Sequence, residues 1–219
     1  MLPFSRAEFF AVFASYNSAV WPAQVLLYVL ALGIVALAMR GRRPGGRAVS
    51  AGLGLLWIWT GVVYHWWQFT AVNRLAWAFG ALFVIQGGLF VAHGVGRRPL
   101  EFGRPRGGTG WVGGLLVAYA LIVYPLLGLA GHPTQEVPFL GVPCPTTIFT
   151  FGLLFWAVRP VPRHLLLIPL AWAFVGSTAV FLLGVPEDVG LLVAGLLGLL
   201  LLRSSVPGRP VESPSGASR

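Results

Sequence analysis

The first group of candidate functional residues lies near the end of an apolar segment. His65 and Gln68 follow Gly54, Ile58 and Gly61 at helical spacing, so all five share one stripe of a predicted helix. Because glycines favour close contact between helices, we expect His65 and Gln68 to point into a helix bundle. An imidazole in that position is a candidate functional group. The alternative is a neutral, hydrogen-bonded structural histidine.

A second group lies in the sequence Gly-Val-Pro-Cys-Pro-Thr-Thr at positions 141–147. Its prolines lack backbone donors, and Pro145 suits the first turn of a helix, where no donor is missed. We expect the freed carbonyls and the hydroxyls of Thr146 and Thr147 to face a polar partner or a cavity. The alternative is an ordinary helix whose threonines bond to their own backbone. Cys144 could bind a soft metal, but no partner cysteine accompanies it.

The third group is acidic. Glu187 and Asp188 directly follow Pro186, as expected where a helix begins, since acids stabilise its positive end. The alternative gives either carboxylate the role of a proton or cation ligand. Because the two residues are adjacent, we expect their side chains on diverging faces, unlike carboxylates paired for hydrolysis. Tyr124, in another apolar segment, completes the set of binding candidates.

The four histidines permit one further interpretation. His65 and His132 are predicted toward one end of the bundle, and His93 and His164 toward the other, as two bis-histidine haems would require. However, His132 lies in a Gly-Pro loop and His164 at the edge of a segment, where ligands are poorly held. We therefore predict no cofactor and no resident metal, and assign no catalytic residue.

Composition limits the class of protein. The chain has 219 residues, 57% of them apolar and 10% charged, and a mean hydropathy of +0.80. A water-soluble core could not hide this much apolar surface, whereas a bilayer can. The net charge is +9 without a single lysine, which excludes a retinal or pyridoxal Schiff base. The arginines lie in short loops between apolar runs, so they indicate membrane orientation and not nucleic-acid binding.

Seven apolar segments predict an all-α, polytopic membrane helix bundle of about seven transmembrane helices. The fifth segment reaches membrane length only with its proline-rich entrance, and the seventh only with its acidic start. A six-span alternative makes the fifth segment re-entrant. The segments cover residues 21–39, 49–69, 75–95, 111–129, 139–158, 165–183 and 189–202.

The arginines are concentrated in alternate loops, after the first, third, fifth and seventh segments. By the positive-inside rule these loops are cytoplasmic, which places the N-terminus outside and the C-terminus in the cytoplasm. The arginines concerned are Arg40, Arg42, Arg43, Arg47, Arg97, Arg98, Arg104, Arg106, Arg159, Arg163, Arg203 and Arg209.

Both ends of the chain differ from the bundle, which spans residues 21–203. Residues 1–20 carry a capping box of Ser5 and Glu8 and a hydrophobic staple of Phe4 and Phe9. They predict an amphipathic helix that lies in the membrane interface. Residues 204–219 are rich in Ser, Pro and Gly and predict a disordered cytoplasmic tail.

Several motifs of this chain occur together in one family. They are LPFSR, YN and WPAQ within residues 2–24, YHW at 64–66, GVPCPTTIFTFG at 141–152 and GVPED at 184–188. With them the chain resembles, over nearly its whole length, a bacterial membrane family catalogued as domain of unknown function number 6064. The resemblance implies a location in the bacterial inner membrane. Some members carry a generic permease label, and the family brings no catalytic residues.

The polar groups gather on the arginine-poor side, in the outer half of the predicted bundle. The leading hypothesis is a small permease, channel or binding protein for a solute or ion, without enzymatic activity. The alternatives are a membrane-embedded redox or metal enzyme and a structural subunit of a membrane complex. The predicted partners are the bilayer and a small solute or ion; the oligomeric state stays open. The predicted binding residues are His65, Gln68, Tyr124, Cys144, Thr146, Thr147, Glu187 and Asp188.

Overall fold

The structure is a computed structural model that describes residues 3–41, 43–96, 99–104, 106–158 and 160–205. Within these ranges it is all-helical, without a strand. These described residues confirm the predicted all-α class. Five helical stretches are long and apolar enough to cross a membrane. They are Ala23–Arg40, Gly45–Ala71, Ala76–Val95, Gly107–Gly131 and Arg163–Leu182.

The helices follow the predicted apolar segments. They are α1 (Arg6–Val20), α2 (Ala23–Arg40), α3 (Arg43–Trp59), α4 (Ala76–Val95), α5 (Gly107–Ala118), α6 (Tyr124–Gly131), α7 (Pro143–Leu154), α8 (Leu167–Gly176), α9 (Ala179–Leu182) and α10 (Val189–Ser204). Wider, π-helical turns extend α3 over Thr60–Gln68 and connect α5 to α6 over Tyr119–Val123. Such turns frequently occur at functional sites.

The start of α1 has the predicted capping box. The Glu8 backbone N–H donates to the Ser5 hydroxyl, and the Glu8 carboxylate accepts from the Ser5 backbone N–H at 2.7 Å. The bond from the Ser5 backbone, and then that from its hydroxyl, lowers the pKa of Glu8. The Phe4 and Phe9 rings stack with centroids 5.9 Å apart, as the staple predicts.

One face of α1 packs against the bundle. Tyr16 is fully buried, and its hydroxyl accepts a hydrogen bond from Trp59 Nε1 at 2.8 Å. Asn17 Nδ2 donates to the carbonyls of Gln135 and Val137 at 2.7 and 2.9 Å. The helix is therefore attached to α3 and to the loop before α7. Its place at a membrane interface stays a prediction.

α7 lies at the centre of the bundle. It has 12 residues, which is a length of about 18 Å against about 30 Å of hydrocarbon. Pro143 and all residues from Pro145 to Leu154 are buried, as expected of a helix that is apolar on every face. Trp57 Nε1 of α3 donates to the Thr150 hydroxyl at 2.9 Å. The fifth apolar segment thus forms a short, enclosed helix.

Several of the loops predicted to be arginine-rich and cytoplasmic contact one another at one end of the bundle. The Val158 backbone N–H donates to the Glu101 carbonyl at 2.8 Å. Gly41, which ends α2 with a positive φ of 62°, packs against the backbone of residues 102–104. The loops after α2, α4 and α7 therefore meet, and these are loops that the positive-inside rule groups together.

Some predictions concern residues outside the described ranges. Residues 206–219 of the predicted tail are among them. α10 itself continues to Ser204, one residue into that predicted tail. The count of seven crossings, the re-entrant alternative and the membrane orientation stay predictions. Of the arginines on which the orientation rests, Arg42, Arg97, Arg98, Arg159 and Arg209 lie outside the described ranges.

Candidate functional site

A cavity of about 260 Å³ lies beneath α1. Aromatic side chains from several helices form much of its wall. Phe9 and Phe13 come from α1, Tyr64 from the π-helical extension of α3, Phe79 from α4 and Trp172 from α8. Residues of α9 complete the lining. The result is a largely apolar space enclosed by elements that are distant in the sequence.

Three of the predicted binding residues line this cavity together: Tyr124, Cys144 and Asp188. The Tyr124 hydroxyl donates to Asp188 Oδ1 at 2.5 Å. The Cys144 thiol lies near the Asp188 carboxyl and is partly exposed. We call these three residues the cavity floor. They form a compact polar group in apolar surroundings.

Each residue of the cavity floor lies where a helix begins or where its helical geometry changes. Asp188 closes a 3₁₀ turn, Pro186–Asp188, ahead of α10. Tyr124 begins α6 directly after a π-helical turn. Cys144 lies in the first turn of α7, where Pro145 also falls, as the sequence predicts. Such changes in helical geometry bring polar side chains to an enclosed space while the helices keep most of their own backbone hydrogen bonds.

Asp188 is the electrostatic centre of the cavity floor. It is 1% exposed, and its burial raises the pKa of the carboxyl to about 7. Hydrogen bonds from Tyr124 and Cys144 lower this pKa, and the nearby Glu187 raises it. A positive charge placed in the cavity would favour the ionised carboxylate.

Glu187 faces a different neighbourhood from Asp188, as expected for adjacent residues. Its Oε1 is 3.7 Å from His132 Nε2. Neither carboxylate oxygen has a hydrogen-bond partner among the described residues. The His132 ring packs against Phe10 with centroids 4.1 Å apart. Burial raises the pKa of Glu187, opposed by its own backbone N–H and by the charges of His132 and Arg6.

His65 lies behind the cavity wall. It is fully buried, with ring centroids 4.8 Å from Phe83 and 5.2 Å from Trp172. Neither ring nitrogen has a hydrogen-bond partner among the described residues. The alternative of a hydrogen-bonded structural histidine therefore finds no such bond there. Trp172 lines the cavity and separates it from His65.

The other predicted binding residues connect or stabilise helices. Gln68 Oε1 accepts a hydrogen bond from the Ser15 hydroxyl at 2.8 Å, which joins α1 to the end of α3. The Thr147 hydroxyl donates to the Pro143 carbonyl at 2.8 Å, as in the alternative of a threonine bonded to its own helix. The Thr146 hydroxyl is buried without a partner among the described residues. None of these three side chains lines the cavity.

Sequence reasoning missed Trp172 and the role of α1 as a cover. The sequence indicated an amphipathic helix in the membrane interface and no contact with a binding site, yet Phe9 and Phe13 line the cavity. No neighbouring residue indicated a function for Trp172, because it lies in a plain apolar segment.

No group of three His, Cys, Asp or Glu that could hold a metal is found in the described part of the chain. His93 and His164 do pair, with ring centroids 5.8 Å apart.

These features define a class of protein: an all-helical bundle with membrane-length apolar helices and an aromatic cavity that contains one buried carboxylate. The chain belongs to the family of unknown function DUF6064, which matches residues 6–207. The match confirms the resemblance that the sequence motifs indicated. No curated protein and no solved structure matches the chain.

Proposed function

We propose that this chain is an integral membrane protein that binds a small solute in the cavity beneath α1. The observation that carries the proposal is the convergence of Tyr124, Cys144 and Asp188 on one largely apolar, ligand-sized space. Ligand sites typically combine apolar walls with a few placed polar groups. Carboxylates in membrane-embedded helices commonly mark paths for solutes or ions.

The proposal includes seven membrane crossings, with α1 outside and the arginine-rich loops in the cytoplasm. Exposed apolar side chains support insertion: Leu26, Val29 and Leu32 of α2 are 68%, 61% and 59% exposed. In water such a surface would favour aggregation, whereas lipid covers it. The short α7 crosses inside the protein, where neighbouring helices shield its ends.

In this arrangement α1 controls access to the cavity from the outer half of the membrane. Phe9 and Phe13 lie over the space, and the bond between Ser15 and Gln68 holds α1 in place. A solute reaches the cavity floor when α1 moves away from α8 and α9. The protein thus acts as a solute-binding protein or as a small permease.

Ligand-dependent melting of the detergent-solubilised protein tests this proposal. Toluene, benzyl alcohol and benzylamine are single-ring probes, and at least one should raise Tm because it binds only the folded chain. Ala179→Phe places a ring in the cavity and should abolish the shift. Ala36→Phe, at an exposed site of α2, is the matched control and should retain it.

Two results would contradict the proposal. A Tm that responds to none of the probes would mean that the cavity does not bind single-ring solutes. A shift that survives in Ala179→Phe would place binding elsewhere on the protein. A Soret band or a stoichiometric metal would favour the enzyme alternative, and a fixed co-purifying partner would favour the structural subunit.

A further inference from the structure

The cavity beneath α1 is electrostatically one-sided. Asp188 is the only acidic or basic side chain among the described residues that line it. The nearby Arg6 is engaged elsewhere: its guanidinium donates to the Gly184 carbonyl at 3.5 Å and lies over the Phe10 ring. No described cation therefore pairs with the carboxylate inside the cavity. Because Asp188 is 1% exposed, a charge on a ligand in contact with it would be little screened.

The aromatic walls of the cavity also favour a positively charged ligand, for a reason independent of Asp188. Tyr64, Phe79 and Trp172 bring three aromatic rings to the space. The faces of such rings carry partial negative charge and attract an ammonium group within about 6 Å of the ring centre. The rings and the carboxylate thus act together on a cation, whereas both would repel an anion.

The volume limits the ligand to a compact molecule. A cavity of about 150 Å³ lined by apolar side chains accepts benzene. The cavity here, of about 260 Å³, has room for one ring with a short polar arm. Asn73 and Thr178 also line the cavity, but each of these side chains hydrogen-bonds to backbone close to it in the sequence. The cavity floor is therefore the polar cluster left to a ligand, and the cavity matches a ligand with one polar end and an apolar body.

We infer that the cavity takes a compact organic cation, with an apolar or aromatic body and one ammonium group that pairs with Asp188. The inference rests on the proposed function and specifies the ligand class of the same site. Tyr124 donates to Oδ1, and the ammonium donates to the remaining lone pairs of the carboxylate. The body of the ligand then lies against Tyr64 and Trp172.

Three ligands of nearly equal size and different charge test this inference. Benzylamine, benzyl alcohol and benzoate are titrated calorimetrically into the detergent-solubilised full chain at pH 7.5. We expect benzylamine to bind about tenfold more tightly than benzyl alcohol, since only the amine pairs with a desolvated carboxylate, and benzoate to bind least. This order of affinities is measured on the unmodified protein, so it tests the ligand class even if a substitution impairs folding.

Two matched variants then locate the effect. Asp188→Asn should weaken benzylamine binding about tenfold and change benzyl alcohol binding less than about threefold, because only the charge is removed. Glu187→Gln makes the same chemical change one residue away, where the side chain faces His132, and should leave both affinities within about threefold.

The outcomes separate this inference from the proposed function. If benzyl alcohol binds as tightly as benzylamine, the cavity binds solutes but the ligand class is wrong. If Glu187→Gln weakens benzylamine as much as Asp188→Asn does, the attraction is a general field and the assignment to Asp188 is wrong. If none of the three ligands binds, the ligand class is wrong, and if toluene does not raise Tm either, the proposed function itself is contradicted.

Discussion

The residues that surround the Asp188 carboxyl are far from it in the sequence. Tyr124 approaches from α6 and Cys144 from α7, while the adjacent Glu187 faces His132. Neighbouring residues diverge because each residue of a 3₁₀ turn rotates the chain by about 120°. The sequence predicted this divergence, but not which of the two carboxylates would reach the cavity.

The affinity for an ammonium ligand should depend on pH through Asp188. Burial raises the pKa of this carboxyl to about 7, so lowering the pH through that value protonates the group and removes the negative partner. We expect the benzylamine affinity to fall about tenfold between pH 8 and pH 6. Calorimetric titrations at a series of pH values measure this, and Asp188→Asn should show no such fall.

The groups that face Asp188 provide the control for that experiment. Tyr124 donates a hydrogen bond to it, Cys144 lies near it, and the charge of Glu187 raises its pKa. Glu187→Gln should therefore move the midpoint to lower pH while the fall persists. An affinity in the unmodified protein that is constant from pH 8 to pH 6 would show that Asp188 is not the partner.

At the residue scale the sequence predicted candidates but not contacts. Asp188 and Gln68 share the same signal, a polar side chain in apolar surroundings, yet one lines the cavity and the other holds α1. Periodicity cannot separate the two roles because both place a buried polar group toward the inside. The distances within the cavity floor depend on how α6, α7 and α10 pack, which one sequence does not encode in any local pattern.

At the element scale, α7 shows the limit of hydrophobic patterns. The prolines at its entrance predicted where the helix begins, and it begins there. Its enclosure by other helices was not predicted, because an apolar run looks the same whether lipid or protein surrounds it. α1 shows the same ambiguity, since an amphipathic face can pack on a membrane surface or over a cavity.

The contact between α3 and α7 should contribute measurably to stability. Trp57 Nε1 donates to the buried Thr150 hydroxyl at 2.9 Å. Thr150→Val keeps the side-chain shape but leaves the indole N–H without this acceptor. We expect a loss of about 1–3 kcal/mol in the free energy of unfolding, measured by denaturant titration in mixed micelles.

A threonine at an exposed site provides the comparison. Thr109→Val in α5 makes the same change on the surface and should alter the free energy of unfolding by less than about 0.5 kcal/mol. If Thr150→Val is as stable as the unmodified protein, the bond to Trp57 is not a significant link between α3 and α7.

At the scale of the whole molecule, the loops rich in arginine meet at one end. The contacts of Val158 with Glu101 and of Gly41 with residues 102–104 bring together loops that are far apart in the sequence. The alternation of arginines along the chain predicted this grouping, because it reports which loops share a side. It does not report how the helices pack between the loops, so the cavity could not be predicted from it.

The proposed orientation predicts opposite labelling at two positions. Gln135→Cys and Ser204→Cys are each introduced, at exposed sites, into a Cys144→Ser background. A membrane-impermeant maleimide should label position 135 in intact bacteria, and position 204 only after permeabilisation. Labelling of both positions from the same side would contradict an odd number of crossings, and the reverse pattern would contradict the orientation.

The reactivity of Cys144 tests the central claim most directly, because this single cysteine lines the cavity. Its modification by methyl methanethiosulfonate, a small neutral reagent, is followed by intact-mass spectrometry of the folded protein in detergent. We predict that the native thiol reacts and that benzylamine at ten times its Kd slows the reaction about tenfold, whereas benzoate does not. A rate that benzylamine leaves unchanged, at a pH at which the native thiol reacts, would contradict a solute-binding cavity.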